Sequence, residues 1–182
     1  MKSLFVAASA LAVATVAAPA FAETPSIPPI TGYANLGYSY AAYDPNAGAS
    51  AGLSMLDGRL GATIGKYLGA EGEFGFGVNT DNVAGVANVK LRNTYAGYAV
   101  GHLPLAQNAE AFVRVGYGHS SLRITDTGSS VADGADSWNF GAGFQYFLTA
   151  HDGFRAEYTR YDFRNDAGQA NVFGISYVRR FP

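Results

Sequence analysis

The 182-residue chain contains no cysteine, and only 14% of its residues are charged. The absence of cysteine excludes a disulfide-stapled scaffold and any cysteine-ligated zinc site. The formal net charge of −2 argues against nucleic acid as a partner, because proteins that bind nucleic acids carry basic faces. Beyond the first 22 residues, no segment approaches the run of about 18 apolar residues that a membrane-spanning helix needs.

Glycine and aromatic residues are abundant instead. The chain has 23 glycines and 14% aromatic residues, yet its mean hydropathy is only +0.03. A soluble protein rarely has so many aromatic residues, and a helical membrane protein would be far more hydrophobic. A hydrophobic content of 48% also excludes a disordered chain.

The first 22 residues have the pattern of a secretory signal peptide. Lys2 gives a positive start, an apolar segment covers 4–18, and Ala20-Phe21-Ala22 is an A-x-A cleavage site. We therefore predict a signal peptide at 1–22, an N-terminal lead-in at 23–29 and one domain at 30–182. An uncleaved membrane anchor is the alternative, and the small residues before the cleavage site disfavour it.

From Ile30 onward, apolar and polar residues alternate with a period of two, which indicates β-strands. Eight such runs occur, at 31–40, 55–65, 68–78, 88–100, 110–118, 137–147, 154–162 and 171–181. The connections alternate between short turns and longer polar loops, the longer ones at 41–54, 79–87, 119–136 and 163–170. This pattern predicts an all-β fold, an eight-stranded antiparallel up-and-down transmembrane β-barrel with periplasmic turns and extracellular loops.

The two faces of the predicted strands differ in a way that orients the barrel. One face is aromatic and aliphatic, whereas the other combines glycines with charges of both signs: Arg59, Glu71, Glu73, Lys90, Arg92, Arg114, Arg155 and Glu157. The interior of an eight-stranded barrel is just filled by side chains, and glycines there leave room for long Arg and Glu side chains. We expect this charge cluster inside the barrel, either as a paired structural plug or as a gate whose ion pairs switch partners.

Aromatic residues near the predicted strand ends are expected at the two membrane interfaces, because amphipathic rings prefer the head-group layer. They are Tyr38, Tyr40, Trp138, Tyr146 and Phe154. A surface that stacks carbohydrate is the alternative. The last strand ends in an alternating run whose outward residues are mostly aromatic and which includes one glycine: Phe173, Gly174, Ile175, Tyr177 and Phe181.

This terminal run resembles the C-terminal signal of bacterial outer-membrane proteins. Residues 33–181 as a whole resemble the OmpA-like and OmpX-like eight-stranded family, the porin-family outer-membrane β-barrel proteins. Short segments that carry the resemblance are Gly58-Arg59-Leu60-Gly61, Gly69-Ala70-Glu71-Gly72, Val113-Arg114-Val115-Gly116-Tyr117 and Phe154-Arg155-Ala156-Glu157-Tyr158.

The resemblance implies the Gram-negative cell outer membrane as the location, with outer-membrane lipid and lipopolysaccharide as the surroundings. It also implies that the outer-membrane insertion machinery reads the terminal run, and that the barrel is a monomer with a structural or surface-interaction role. No loop motif identifies a surface ligand.

No catalytic, cofactor or metal site is predicted. His119 and Ser120 directly follow the fifth predicted strand, but adjacent residues point to opposite faces and no acid is evident beside them. We therefore predict that the protein is not an enzyme. Two other functions stay open: a narrow porin-like channel for small solutes or ions, and a soluble secreted β-barrel that binds an apolar ligand.

Overall fold

The computed structural model of the chain describes residues 28–44, 51–83, 87–126, 129–165 and 167–181. The predicted signal peptide and most of the predicted lead-in lie outside the described residues. Within them, the chain forms nine β-strands: β1 (Ile30–Asp44), β2 (Ala51–Ile64), β3 (Leu68–Gly77), β4 (Asp81–Val83), β5 (Ala87–Pro104), β6 (Ala109–Asp126), β7 (Ser129–Phe147), β8 (Asp152–Phe163) and β9 (Gln169–Phe181). The described part of the chain contains no helix long and apolar enough to cross a membrane.

Eight of these strands close into a barrel, which confirms the predicted fold class. Neighbours in sequence pair antiparallel, β1 pairs with β9, and β3 pairs with β5. The three-residue β4 pairs with β5 alone and stands beside the ring. Tracing paired residues once round the barrel from Tyr146 returns to β7 at Asp136, a stagger of ten residues. Closing a barrel requires such a stagger, because its strands tilt relative to the axis.

The two ends of the barrel differ in their connections. We call the end with the short connections at 65–67, 105–108 and 148–151 the turn end, and the opposite end the loop end. At the loop end, β6 and β7 continue as a paired hairpin as far as Asp126 and Ser129. The predicted loop at 119–136 is therefore wrong, because most of these residues extend the strands beyond the partners that β8 offers.

Side chains alternate between the two faces of the wall, as a period of two requires. The outward side chains are largely apolar, and Leu36, Leu60 and Ile175 are 68–72% exposed. In β8, Arg155 and Thr159 point inward and are buried, whereas Phe154 and Tyr158 point outward. The barrel therefore presents an apolar outer wall and encloses a polar middle.

Candidate functional site in the lumen

The lumen at mid-barrel is filled by a network of ion pairs. Six charged side chains from β2, β3, β6 and β8 meet there with at most 3% of their surface exposed: Arg59, Glu71, Glu73, Arg114, Arg155 and Glu157. The structure thus places six of the eight residues of the predicted charge cluster in the lumen. Because β2 and β3 lie across the ring from β8, the network spans the cross-section.

Two of the arginines each join two glutamates. Arg59 Nε lies 2.6 Å from Glu73 Oε2, and Arg59 Nη2 lies 2.5 Å from Glu157 Oε1. Arg155 Nη1 lies 2.5 Å from Glu71 Oε1, and Arg155 Nε lies 2.8 Å from Glu157 Oε2. Glu157 therefore connects the β2 side of the lumen to the β8 side.

Arg114 lies between these pairs and holds them together. Its Nη2 is 3.0 Å from Glu157 Oε1, and its Nη1 is 3.4 Å from Glu73 Oε2. A fourth carboxylate, Asp57, lies 3.0 Å from Arg59 Nη2 and was not part of the predicted cluster. Its position two residues before Arg59 on the same strand face is the signal that points to it.

Neutral donors complete the network. Tyr33 and Tyr161 each donate a 2.8 Å hydrogen bond, to Glu71 and Glu73 respectively. A Cβ on Gly61 would lie 2.4 Å from the Tyr33 ring, so a side chain at that position would displace the tyrosine. This inward glycine makes room for a neighbouring aromatic ring, whereas the sequence pattern suggested room for charged side chains.

An apolar layer lies between this network and the loop end. Its buried side chains come from five strands and are 2–8% exposed: Ala41, Leu53, Met55, Leu91, Tyr161, Ala170 and Val172. The cavity left within this layer is about 30 Å³, roughly room for one water molecule. The lumen is therefore closed twice, by paired charges at its middle and by apolar packing above them.

Lys90 and Arg92 are both exposed, which shows that these two residues of the predicted cluster lie outside the lumen. The cause is a register shift between Leu91 and Asn93, where β5 bulges against β6. One extra residue reverses the inward and outward assignment of everything before it. The prediction for these two residues is therefore wrong, although Thr94 beyond the bulge points inward as its alternation predicts.

A second polar cluster lies in the lumen at the turn end. Glu110 accepts hydrogen bonds from Gln145 at 2.8 Å and Arg180 at 2.9 Å, and it contacts the buried His102. The Arg180 guanidinium lies 3.5 Å from the centre of the Phe147 ring. The predicted strands left 101–109 as a connection, whereas β5 continues to Pro104 and β6 begins at Ala109, so this cluster was not predicted.

The outer wall carries the predicted interfacial aromatic residues, all of them 42–58% exposed: Tyr38, Tyr40, Trp138, Tyr146 and Phe154. Tyr146 and Phe154 are paired neighbours at the turn end, and Trp138 packs against Tyr117 towards the loop end with ring centres 5.3 Å apart. Tyr38 pairs with Ile175 near the middle of its strand.

The terminal run shows the expected alternation. Phe173, Ile175, Tyr177 and Phe181 point outward and are 41–68% exposed, whereas Gly174 is buried against the lumen.

The outer wall also carries a histidine with an acid partner. His119 Nδ1 lies 2.7 Å from Asp136 Oδ1, and the two side chains are 31% and 48% exposed. The sequence pattern placed Asp136 in a loop, but it is the direct cross-strand neighbour of His119. Among the described residues, no group of three or more His, Cys, Asp or Glu side chains is arranged to hold a metal ion.

An apolar outer wall, a closed ring of antiparallel strands and a filled polar lumen together define a transmembrane β-barrel. Residues 8–181 match the family described as outer membrane protein beta-barrel domain, and the chain belongs to this family. It is accordingly an integral β-barrel protein of the Gram-negative outer membrane, which excludes the soluble secreted barrel. In this class, the turn end faces the periplasm and the loop end faces outward.

Solved structures show the same fold at low sequence identity. Neisserial surface protein A is 12% identical with a TM-score of 0.65, covering 82% of this chain and 97% of that one. The N-terminal β-barrel domain of OprF from Pseudomonas aeruginosa is 15% identical with a TM-score of 0.62, covering 86% and 100%.

A third structure is that of Ail, the attachment invasion locus protein of Yersinia pestis, in complex with the heparin analogue sucrose octasulfate. Ail is 15% identical to this chain. Its TM-score is 0.60, and the match covers 84% of this chain and 99% of that one. No curated protein matches the sequence. The family is described as an outer membrane protein domain, and neither its description nor those of these three structures names an enzyme.

Proposed function

We propose that this protein is a sealed outer-membrane barrel that contributes to the envelope as a structural element and holds hairpins at the cell surface. The observation that carries the proposal is the double closure of the lumen. A solute passing through would have to separate Arg59, Arg114 and Arg155 from their carboxylates and then part the apolar layer. Leaving a buried charge without its partner costs about 3–5 kcal/mol, which makes spontaneous opening rare.

The surface role is supported by the shape of the loop end. The paired hairpin of β6 and β7 continues beyond His119 and Asp136, whereas the neighbouring strand β8 ends at Phe163. On its β8 side, this hairpin therefore extends beyond the end of the neighbouring strand. Ail, which shares the fold, binds a heparin analogue, so a barrel of this kind is compatible with recognition at the surface.

Planar-bilayer recording tests the sealed lumen. The purified full chain should give no conductance steps above those of protein-free bilayers, and boiled and unboiled samples should migrate differently on a detergent gel because the barrel resists detergent. The gel shift ensures that a silent recording comes from folded protein. Reproducible conductance from the folded chain would refute the sealed lumen.

The narrow channel is the second candidate, and one observation favours it. The network holds four carboxylates, Asp57 included, against three arginines, so an arginine has an alternative partner within reach. Glu71→Gln would remove one partner of Arg155 while keeping the shape of the side chain. Conductance in the unmodified chain that changes in this variant would establish the gated channel.

The processing and biogenesis steps are part of the same proposal. Cleavage after Ala22 would leave Glu23 as the first residue, which the intact mass of the protein from outer membranes measures directly. Truncation or polar replacement of Phe181 should lower the amount of barrel that the insertion machinery delivers to the outer membrane. A monomer is expected, and sedimentation in detergent tests it.

A further inference from the structure

Exposed cations of β5 and β6 lie side by side on the outer wall at the loop end. Lys90 and Arg123 are directly paired across the two strands, and both are exposed. Leu91 and Leu122, the next residues on each strand, pack in the lumen, so the alternation turns Lys90 and Arg123 outward. The bulge residue Arg92 is exposed as well and adds a third cation on β5.

This pairing of like charges is unfavourable in itself. Like charges on directly opposed residues destabilise a pair of strands, because their Cβ atoms are only about 4.5–5.5 Å apart. The residue opposite Arg123 on β7 is Ala132, so that side supplies no carboxylate. An anion between Lys90 and Arg123 would turn the repulsion into two attractions. Since the outer wall lies in a lipid bilayer, the anion within reach is the phosphate of a lipid head group.

The neighbouring strand shows where these cations stand relative to the bilayer. β3 ends at Gly77, and its last outward aromatic residue, Phe76, is directly paired with Asn93. Phe76 is 48% exposed, and aromatic rings favour the membrane interface. Lys90 and Arg123 lie beyond this pair towards the loop end, which faces outward. The cations are therefore at the level of the head groups of the outer leaflet.

Below the cations, β5 and β6 continue as a ladder of outward pairs that is polar and aromatic. Asn93 pairs with Ser121, and Tyr95 pairs with His119. The Tyr95 ring stacks on the imidazole with centres 5.4 Å apart, and His119 Nδ1 lies 2.7 Å from Asp136 Oδ1. The Asp136 side chain is 48% exposed, so its carboxylate can accept hydrogen bonds from hydroxyl groups. This stretch suits a sugar ring.

The next pairs towards the turn end form a groove in the apolar wall. Gly97 on β5 and Gly72 on β3 are directly paired, and a Cβ on either would meet nothing within 4 Å. Ala70 and Ala99 are the next outward pair and are also small. A groove of about 760 Å³ extends here from the two alanines to His119. It leaves room for a hydrocarbon chain that the larger residues around it would exclude.

The spacing along β6 indicates the kind of head group. Arg123 lies four residues beyond His119, which is about 13 Å along a strand at roughly 3.3 Å per residue. In a glycerophospholipid, only a few bonds separate the phosphate from the acyl esters, so its phosphate would fall short of the cations if its chains began at His119. A phosphorylated sugar backbone spans the longer distance.

We propose that this face of β5 and β6 binds one phosphorylated glycolipid of the outer leaflet. Its phosphate lies between Lys90 and Arg123. Its sugar lies over the Tyr95 ring and accepts or donates hydrogen bonds at the His119–Asp136 pair. One acyl chain lies in the groove at Gly97. The ligand thus matches the order of charged, polar and apolar residues along the two strands.

Native mass spectrometry of the refolded full chain in detergent tests the site, with bisphosphorylated lipid A, the glycolipid anchor of lipopolysaccharide, as the probe. One lipid A should bind each barrel. Lys90→Gln combined with Arg123→Gln should weaken binding about tenfold, because each exposed ion pair contributes modestly. Arg160→Gln is the matched control, since Arg160 is an exposed cation near the loop end of β8, away from the groove. It should leave the affinity unchanged.

The groove and the phosphate are tested separately. Gly97→Leu fills the groove, and it should weaken binding of lipid A about tenfold while the barrel keeps its gel shift, because its Cβ meets no neighbour. Lipid A without its phosphates should bind the unmodified chain as weakly as the double variant binds intact lipid A. Phosphatidylglycerol, whose phosphate is closer to its chains, should bind more weakly than lipid A.

Three results would overturn the proposal. The first is the absence of bound lipid A on barrel that shows the gel shift. The second is an affinity for lipid A that is unchanged in the double variant or in Gly97→Leu. The third is binding of phosphatidylglycerol as tight as that of lipid A. Because the site lies on the outer wall, conductance through the lumen bears on none of these results.

Discussion

The two layers that close the lumen rest on opposite physical principles. At mid-barrel, three arginines and four carboxylates are held together by charge and directed hydrogen bonds. Towards the loop end, residues such as Leu53 and Met55 pack without polar contacts around a cavity of only about 30 Å³. The first layer fails when one partner is lost, whereas the second fails when volume is lost. The comparison shows that the charged layer contributes specific pairing and the apolar layer excludes water, both within one small lumen.

The largest expected effect comes from breaking the charged layer. Arg59→Met removes the cation that contacts Glu73, Glu157 and Asp57, and it should lower the free energy of unfolding by about 3–5 kcal/mol. Urea titration of the folded barrel in vesicles measures this difference. If the variant does not fold, Arg59→Met combined with Glu73→Gln should recover folded protein, because the second change removes one unpaired carboxylate. If Arg59→Met alone is as stable as the unmodified chain, the ion-pair network does not stabilise the barrel.

A substitution in the apolar layer should lower the free energy of unfolding somewhat less than Arg59→Met does. Leu53→Ala creates a cavity in packed surroundings and should lower the free energy of unfolding by about 2–5 kcal/mol. Leu60→Ala is the matched control, since Leu60 lies on the outer wall at 72% exposure. There, lipid chains fill the space, so only the transfer cost of about 2 kcal/mol or less applies. Equal losses at the two positions would show that Leu53 is not packed inside the barrel.

The smallest effect is expected at an ion pair outside the lumen. Arg179 lies 3.0 Å from Asp152, with side chains 55% and 34% exposed. Solvent screens such a pair, so Arg179→Ala should change the free energy of unfolding by less than about 1 kcal/mol. The same urea titration makes it a control for Arg59→Met. A loss as large as that of Arg59→Met would mean that burial does not set the strength of these pairs.

Much of the mid-barrel could be predicted from sequence, because strict alternation assigns each residue to one face. Arg59, Glu71, Glu73, Arg114, Arg155 and Glu157 follow that alternation and all lie in the lumen. Lys90 and Arg92 could not be placed correctly, since the alternation holds on each side of a bulge but reverses across it. Nothing in the composition of β5 marks the bulge.

The apolar layer and the outer His–Asp pair were missed for a different reason. Leu53, Met55 and Asp136 fall where polar and small residues suggested loops or strand ends, but the strands continue towards the loop end as extended hairpins. Cross-strand register decides which residues meet there. A single sequence contains the pattern within a strand but not the offset between strands.

The absence of cysteine makes the sealed lumen directly measurable. Ser39 is 1% exposed and lies between the two layers, next to Asp57. Ser39→Cys in detergent micelles should resist a charged, water-soluble thiol reagent, whereas Thr149→Cys in an exposed turn should react at once. Adding Leu53→Ser to Ser39→Cys should open the apolar layer and speed the labelling of the introduced thiol from outside. Fast labelling of Ser39→Cys in the otherwise intact barrel would contradict the sealed lumen.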